Sequence, residues 1–300
     1  MFEVRIGATP LCALLAFAAS AAPAFPEAID RGDAAYLRRA EGARDGRAAP
    51  EPTGEAIRAY QEAVTSDPQN LEARWKLLRA LHFEGDFVAD DPDARRRVFD
   101  RGRILSEEGV KILAKQLGGR KRPHELSVKA LEERLTEAAA SHRDIAAFYF
   151  WSAIHWAAWG RLSGLLSLVR RGVANRIRDY TIVVLTLEPD YEEGGGHRMM
   201  SALHARLPRV PFVSGWVDRS EALPHAERAL AIAPQHPGNR LLLALTLLGL
   251  HPERRVEALA VLEEVSAIDP RAASEVEDLA IRRQARERLE EELASVGELQ

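Results

Sequence analysis

The sequence predicts an all-α protein, a helical solenoid of stacked antiparallel helix pairs with irregular insertions. One spacing of small and larger apolar residues occurs four times, and each occurrence ends in a proline that another apolar-periodic segment follows. We find no run of alternating apolar and polar residues bounded by turn signals, as a half-buried strand requires. The 300 residues exceed the usual size of one compact core, which favours an elongated array whose neighbouring units share their cores.

The repeated spacing is a small residue, a larger apolar residue four positions on, a small residue after three more, and proline five positions later. This is the second-helix pattern of a tetratricopeptide repeat, in which small residues allow close helix approach and proline ends the helix. The occurrences are Ala56-Tyr60-Ala63-Pro68, the degenerate Ile177-Thr181-Val184-Pro189, Ala222-Ala226-Ala229-Pro234 and Ala258-Leu262-Val265-Pro270. The sequence therefore predicts tetratricopeptide-like helix pairs around these segments.

The remaining helices are predicted from apolar residues that recur at intervals of three and four, as a helix with one buried face requires. The helices that follow the four prolines cover residues 71–83, 197–207, 240–250 and 272–293, and residues 27–43 form the partner helix of the first unit. Three further helices interrupt the array at residues 93–117, 125–139 and 142–168. The repeat domain as a whole is predicted over residues 26–296.

Residues 1–24 are predicted to be a secretory signal peptide. A short segment ending in Arg5 precedes an uncharged apolar stretch, and the small residues that follow favour cleavage after Ala21 or Ala24. The stretch is also long enough to remain as an uncleaved membrane anchor, which is the less favoured alternative. Cys12 is the single cysteine, so cleavage would leave no thiol for disulfides, cysteine-ligated zinc or a cysteine nucleophile.

The overall charge and the motifs exclude several classes of function. The formal net charge of −4 argues against the basic footprint of a nucleic-acid partner. The sequence contains no Gly-x-Ser-x-Gly, phosphate-cradling, dinucleotide or His-Glu-x-x-His motif. We therefore predict no catalytic residues, no cofactor and no metal.

An aromatic helix supplies the first group of candidate ligand-binding residues. Trp151, His155 and Trp159 are four residues apart and share one helical face, with Phe148 just behind them. Such a stripe is suited to line a cavity for an apolar or carboxylate-bearing ligand, with His155 as a polar contact. The alternative is a repeat-helix core in which His155 is hydrogen-bonded inside the protein.

A glycine-rich turn supplies the second group. It begins at Tyr191 and contains three consecutive glycines, which are costly in backbone entropy and indicate a close approach to a ligand or to a neighbouring helix. His197 and Arg198 then begin a helix whose exposed N–H groups favour an anion such as a carboxylate; the alternative is a flexible loop between repeats. The candidate ligand-binding residues are Phe148, Trp151, His155, Trp159, Tyr191, Gly194, Gly195, His197 and Arg198.

The run Leu187-Glu-Pro-Asp-Tyr-Glu-Glu-Gly-Gly-Gly-His-Arg198, with the segment from Ala202 to Pro208, resembles the signature of the T component family of tetratricopeptide-repeat-associated TRAP transporters. In that family a Pro-Asp-Tyr stretch leads into a Gly-Gly-Pro-His-Arg turn and a helix that ends in Ala-Arg-x-Pro. Gly196 stands where the family has proline, which loosens the turn. The resemblance covers roughly residues 26–270.

The resemblance implies a periplasmic protein that associates with the solute-binding protein of a secondary transporter, holds a small-molecule solute in a cleft or channel, and assembles into trimers. The expected function is therefore a periplasmic, non-enzymatic accessory protein of a solute transport system. The alternative is a general tetratricopeptide scaffold for protein–protein interactions in the cell envelope.

Overall fold

The computed structural model describes residues 25–119, 121–138, 140–164 and 172–297, so the predicted signal segment lies outside the described residues. This part of the chain contains twelve α-helices and no β-strand. The helices are α1 (Phe25–Leu37), α2 (Pro50–Ser66), α3 (Leu71–Phe83), α4 (Pro92–Gln116), α5 (Val128–Glu137), α6 (His142–Ser163), α7 (Val173–Leu187), α8 (Tyr191–Arg206), α9 (Ala222–Ile232), α10 (Pro237–Leu250), α11 (Arg255–Ser266) and α12 (Glu275–Gly297). The all-α class is confirmed.

The four repeated segments form α2, α7, α9 and α11. Three of these helices end two residues before their proline, and α11 ends four residues before Pro270. All twelve small and apolar positions of the spacing are at most 1% exposed. The spacing therefore records helix packing, and the fold is a tetratricopeptide-like solenoid of antiparallel helix pairs.

The helices pack mainly on their neighbours in sequence, from α1 on α2 to α11 on α12. The insertions depart from this order because α3 and α4 both pack on the aromatic helix α6, which also packs on α7. The largest hydrophobic core surrounds α6, and smaller cores lie in the N-terminal and C-terminal pairs. Helix α6 is thus the centre of the fold.

The N-terminal boundaries show how local turns override helical periodicity. Helix α1 ends at Leu37, although the periodicity predicts a helix to residue 43. The chain turns here because Gly42 and Asp45 adopt positive φ angles of 73° and 52°. Helix α3 has the predicted bounds, but it continues directly into a π-helical turn at Glu84–Val88.

The two ends of the array meet. Arg39, just after α1, donates from Nε to Glu277 Oε1 in α12 at 2.9 Å, and a second N–H group of Arg39 donates to the carbonyl of Ala273. Val276 is fully buried in the hydrophobic core of the N-terminal pair. The two ends of the solenoid therefore contact each other, and a central cavity lies beside this contact.

None of the helices in the described part of the chain is both long and apolar enough to cross a membrane.

Candidate functional site

The central cavity has a volume of about 1010 Å³ and is partly open to solvent. The wall is formed by helices α1, α3, α4, α6 and α12, the π-helical turn, the turn at the start of α8 and the start of α10. Its charged and polar lining includes Asp33, Arg39, Lys76, Arg79, His82, Asp86, Arg95, Glu192, Glu193, Arg198, His236, Arg271, Glu277 and Asp278. Its aromatic lining consists of Tyr36, Phe83, Phe87 and Trp151.

The turn that opens α8 has an unusual backbone. Glu192, Glu193 and Gly194 all have left-handed angles, with φ of 50°, 55° and 86°. This conformation costs non-glycine residues roughly 1–2 kcal/mol each, so the surrounding structure must hold it. Arg198 does so by donating to the carbonyls of Glu192 and Glu193 at 2.8 and 2.9 Å. The turn, which we call the left-handed turn, faces the cavity with both glutamates.

Asn239 is the second residue that holds the left-handed turn. Its fully buried side chain accepts a hydrogen bond from Arg198 at 2.8 Å. Its Nδ2 group donates to the carbonyls of Glu193 at 3.0 Å, Ala229 at 2.7 Å and Ala233 at 3.1 Å. Asn239, on α10, thus joins the turn to the end of α9.

The three consecutive glycines are explained by packing. A Cβ on Gly194 would lie 3.1 Å from the Cα of Ala229, and one on Gly195 would lie 2.5 Å from the ring of Phe150. A Cβ on Gly196 would lie 2.8 Å from Leu185. The glycines let α8 approach neighbouring helices, which is one of the two interpretations drawn from the sequence.

Most charges of the cavity wall are neutralised within the wall. The ion pairs are Lys76–Asp33 (2.6 Å), Arg95–Asp86 (3.1 Å), Arg39–Glu277 (2.9 Å), Arg271–Asp278 (2.8 Å) and Arg271–Glu193 (2.9 Å). Glu193 is also 3.4 Å from His236, whose pKa burial lowers to about 4. These pairs fix the wall and leave few charges free.

Glu192 differs from the other acids of the wall because it makes no ion pair with any described residue. Its side chain is exposed and lines the cavity. Burial within that concave surface raises the pKa of Glu192, while the positive charges of Arg79, Arg198 and Arg39 act in the opposite direction.

Arg79 and Arg198 are the cations of the wall with the least compensation. The Arg79 guanidinium lies 4.1 Å from the ring centre of Tyr36, and its nearest carboxylate, that of Asp33, is 3.9 Å away. Within the described residues its Nε is buried without a hydrogen-bond partner. The bonded partners of Arg198 are carbonyl and amide oxygens, and burial lowers its pKa to about 10.

Of the predicted aromatic stripe, Phe148 and His155 lie in the core. Both are fully buried, with Phe148 against Gly109 and His155 against Gly102. His155 Nε2 donates to the carbonyl of Leu78 at 2.8 Å, since a carbonyl can only accept. Burial lowers the pKa of His155 to about 3, so the ring is neutral. For these two residues the core interpretation applies.

Trp151 is the member of the stripe that lines the cavity. Its Nε1 donates to the hydroxyl of Tyr191 at 3.1 Å, which links α6 to the left-handed turn. Trp159 is partly buried and does not belong to the cavity lining. Its ring centre lies 6.0 Å from that of Trp156 and 5.4 Å from Cζ of Arg103. The stripe is therefore divided between the core, the cavity and a second aromatic contact.

His197 contributes to helix packing outside the cavity. Its Nδ1 lies 2.9 Å from Nδ1 of His225, whose ring stacks on that of His204 at 5.9 Å. Burial lowers the pKa of all three, that of His225 to about 4. Among the described residues, no group of three or more His, Cys, Asp or Glu side chains is placed to hold a metal ion.

The structure adds Arg79, Glu192 and Asn239 to the residues predicted from sequence. Arg79 follows the buried residues Leu77 and Leu78, so a charge within an apolar helix was the available signal. Glu192 lies within the segment from Leu187 to Arg198 that resembles the T component signature. Nothing in the sequence around Asn239 indicates its role, because the groups that it bonds lie mainly in other helices.

No protein-family model and no curated protein matches the chain. Among solved structures it is similar to yeast Tom70, at 12% sequence identity and a TM-score of 0.26. The likeness covers 93% of this chain and 67% of the Tom70 chain. At this level Tom70 gives no information on a ligand or partner.

Proposed function

We propose that the protein is a periplasmic, non-enzymatic accessory component of a solute transport system, which binds a solute-binding protein and holds a small ligand in the central cavity. One observation carries this proposal: Glu192, Glu193 and Arg198, from the run that resembles the T component family, lie together in the cavity wall. The same resemblance supports export to the periplasm and a trimeric assembly.

The cavity suits a ligand of small-molecule size. Its volume of about 1010 Å³ is at the upper end of the range of about 300–1,000 Å³ in which ligand sites are found. Tyr36 and Trp151 offer aromatic surface, and hydrogen bonds hold Trp151 and the left-handed turn in place. A preorganised wall lowers the entropic cost of binding.

A binding role is also favoured by the state of the acidic side chains. Asp33, Asp86 and Asp278 each make an ion pair with a cationic neighbour. His82 Nε2 lies 3.1 Å from Asp86 Oδ2, and this contact keeps the pKa of Asp86 well below its usual range. Asp86 is therefore suited to shaping a site and poorly suited to exchanging protons near neutral pH.

The test is affinity purification of the full tagged chain from the periplasm of its own host, followed by mass spectrometry and native gel filtration. We expect a periplasmic solute-binding protein in near-equal amount, and a gene for it beside a transporter permease. Recovery of the chain at native abundance without any solute-binding protein would count against the proposal.

A second candidate function, a general envelope scaffold, is favoured by the loop at residues 208–217. Phe212 at its tip is fully exposed and has a positive φ of 62°. Ser214 holds the loop by donating to the carbonyl of Pro208 at 2.7 Å and accepting from the amide of Val210 at 3.1 Å. An aromatic side chain held in solvent by a constrained loop is available as an anchor for a protein partner.

Phe212→Ala distinguishes the two functions. If the loop docks a solute-binding protein, the variant loses that protein from the purified complex, whereas Leu293→Ala, at another exposed apolar residue, keeps it. A scaffold would instead lose a varied set of envelope proteins and would bind extended peptides. Tryptophan fluorescence separates the functions again, because only the transport role predicts a response of Trp151 to small solutes.

A further inference from the structure

The charges of the cavity wall balance, but they are not all paired. Six cations and six carboxylates line it, so the wall has no net formal charge. After the close ion pairs are set aside, the guanidinium groups of Arg79, which lies 3.9 Å from Asp33, and of Arg198 remain, together with the carboxylate of Glu192. A neutral wall does not concentrate ions of one sign. It suits a ligand that carries both.

Arg79 and Arg198 provide the place for a carboxylate. Arg79 is held between the rings of Tyr36 and Trp75, with its centre 4.1 and 5.1 Å from theirs, and its buried Nε–H has no acceptor among the described residues. The hydrogen bonds of Arg198 use Nη1 and Nη2 and fix its plane. A planar guanidinium in a fixed orientation matches the two oxygens of a carboxylate.

Glu192 provides the place for an ammonium group. The left-handed turn presents its carboxylate to the cavity, and the same turn is bonded to Arg198 through its carbonyls. An acceptor for a cation therefore lies beside a donor for an anion. Burial raises the pKa of Glu192 despite the opposing charges of Arg79 and Arg198, and a ligand ammonium would further stabilise the charged carboxylate.

We infer that the cavity binds a zwitterionic ligand with an α-amino-acid head group, whose carboxylate meets Arg79 and Arg198 and whose ammonium meets Glu192. This inference rests on the proposed ligand-holding function. A ligand with a carboxylate but no amine would be repelled by the negative charge of Glu192. A ligand with an amine but no carboxylate would be repelled by the positive charges of Arg79 and Arg198. Phe87, which is partly exposed, and Trp151 line the same cavity and could contact an aromatic or apolar side chain of the ligand.

The experiment is isothermal titration calorimetry of the full chain with three probes that differ in one group each: L-phenylalanine, 3-phenylpropanoate, which lacks the amine, and phenethylamine, which lacks the carboxylate. We expect L-phenylalanine to bind at least tenfold more tightly than either of the others. Glu192→Gln should weaken L-phenylalanine and strengthen 3-phenylpropanoate, so that the two affinities converge. Glu62→Gln, at an exposed ion pair with Arg31, is the matched control and should leave all three affinities unchanged.

Three outcomes of the titrations would contradict the inference or one of its two contacts. Equal binding of 3-phenylpropanoate and L-phenylalanine by the unaltered chain would overturn the ammonium site, and equal binding of phenethylamine would overturn the carboxylate site. Binding of none of the probes would overturn the inference. The proposed function would still stand if the solute-binding protein co-purifies and native mass spectrometry finds another small molecule in the chain; it fails separately if no such protein is recovered.

Discussion

Gly195 and Gly249 occupy regular positions in neighbouring helices but have different surroundings. A Cβ on Gly195 would overlap the buried ring of Phe150, whereas a Cβ on Gly249 meets nothing within 4 Å. We expect Gly195→Ala to lower the free energy of unfolding by about 1–3 kcal/mol through overpacking. Gly249→Ala should raise it by about 0.5–1 kcal/mol, since alanine loses less backbone entropy in a helix. Urea denaturation measures both, and a Gly195→Ala variant as stable as the parent would contradict the packing argument.

His155 gives a second prediction at the residue scale, which concerns pH. Burial lowers its pKa to about 3 in the folded protein, against an ordinary value of 6.5. Between these values the unfolded chain binds a proton that the folded protein does not, so stability is full above pH 6.5 and falls as the pH drops. His155→Gln keeps an N–H donor for Leu78 and cannot titrate.

We therefore expect the stability of His155→Gln to fall less between pH 7 and pH 5 than that of the parent. Urea denaturation at the two pH values measures the difference. A residual dependence should remain, because burial also lowers the pKa of His225 and of His236 to about 4. An unchanged slope in the variant would show that His155 already binds its proton in the folded state.

At the scale of elements, Asn239 joins the left-handed turn, α9 and α10. Asn239→Asp keeps an acceptor for Arg198 but loses the Nδ2 donor to three carbonyls. Each of these carbonyls keeps a second donor, which is Arg198 for Glu193, the amide of Ala233 for Ala229 and the amide of His236 for Ala233. The cost therefore comes from the lost donor and from the new buried carboxylate, which would face three carbonyl oxygens, and is roughly 1–3 kcal/mol. We expect Asn239→Asp to lower the free energy of unfolding by at least that amount, measured by thermal unfolding. The loss should be smaller in Asn70→Ala, which removes a single N-cap hydrogen bond worth about 1 kcal/mol. Equal effects of the two changes would contradict the role of Asn239.

How far the elements were predictable depends on whether their causes are local. The spacing around Ala56 and Ala226 predicts α2 and α9 because helix pairs pack on sequence neighbours. The turn at Glu192 was recognised from its glycines, but its left-handed backbone depends on Asn239, forty-seven positions on. The aromatic residues of α6 predicted that a helix forms there, but they did not decide which of its side chains line the cavity. Trp151 and His155 lie on the same apolar face, yet Trp151 faces the cavity and His155 faces the core.

At the scale of the whole molecule, the contact between Arg39 and α12 closes the array. Arg39 is only slightly exposed and bonds both Glu277 and Ala273, whereas its neighbour Arg38 makes an exposed ion pair with Glu55. Exposed pairs contribute little, about 0–1 kcal/mol. We expect Arg39→Ala to lower the melting temperature and increase the radius of gyration in small-angle X-ray scattering, and Arg38→Ala to change neither. A compact Arg39→Ala variant would show that the buried Val276 alone keeps the array closed.

The cavity itself was only partly predictable. Arg198 and the turn at Tyr191 were marked by the sequence because they lie in one contiguous run. Arg79 and Glu277 come to the same wall from opposite ends of the chain, and no spacing within either helix indicates that meeting. Closure of the array, rather than any local pattern, decides which side chains share the cavity.

Because the first and last helix pairs contact each other, the number of pairs around the cavity is fixed. An open solenoid can be lengthened by adding a repeat at either end, since each repeat contacts only its neighbours. Here an added pair would have to separate Arg39 from Glu277 and Val276 from its N-terminal core. The size of the cavity is thus set by the contact between the two ends, so the cavity can be altered by substitutions on its inner wall but not by a longer array.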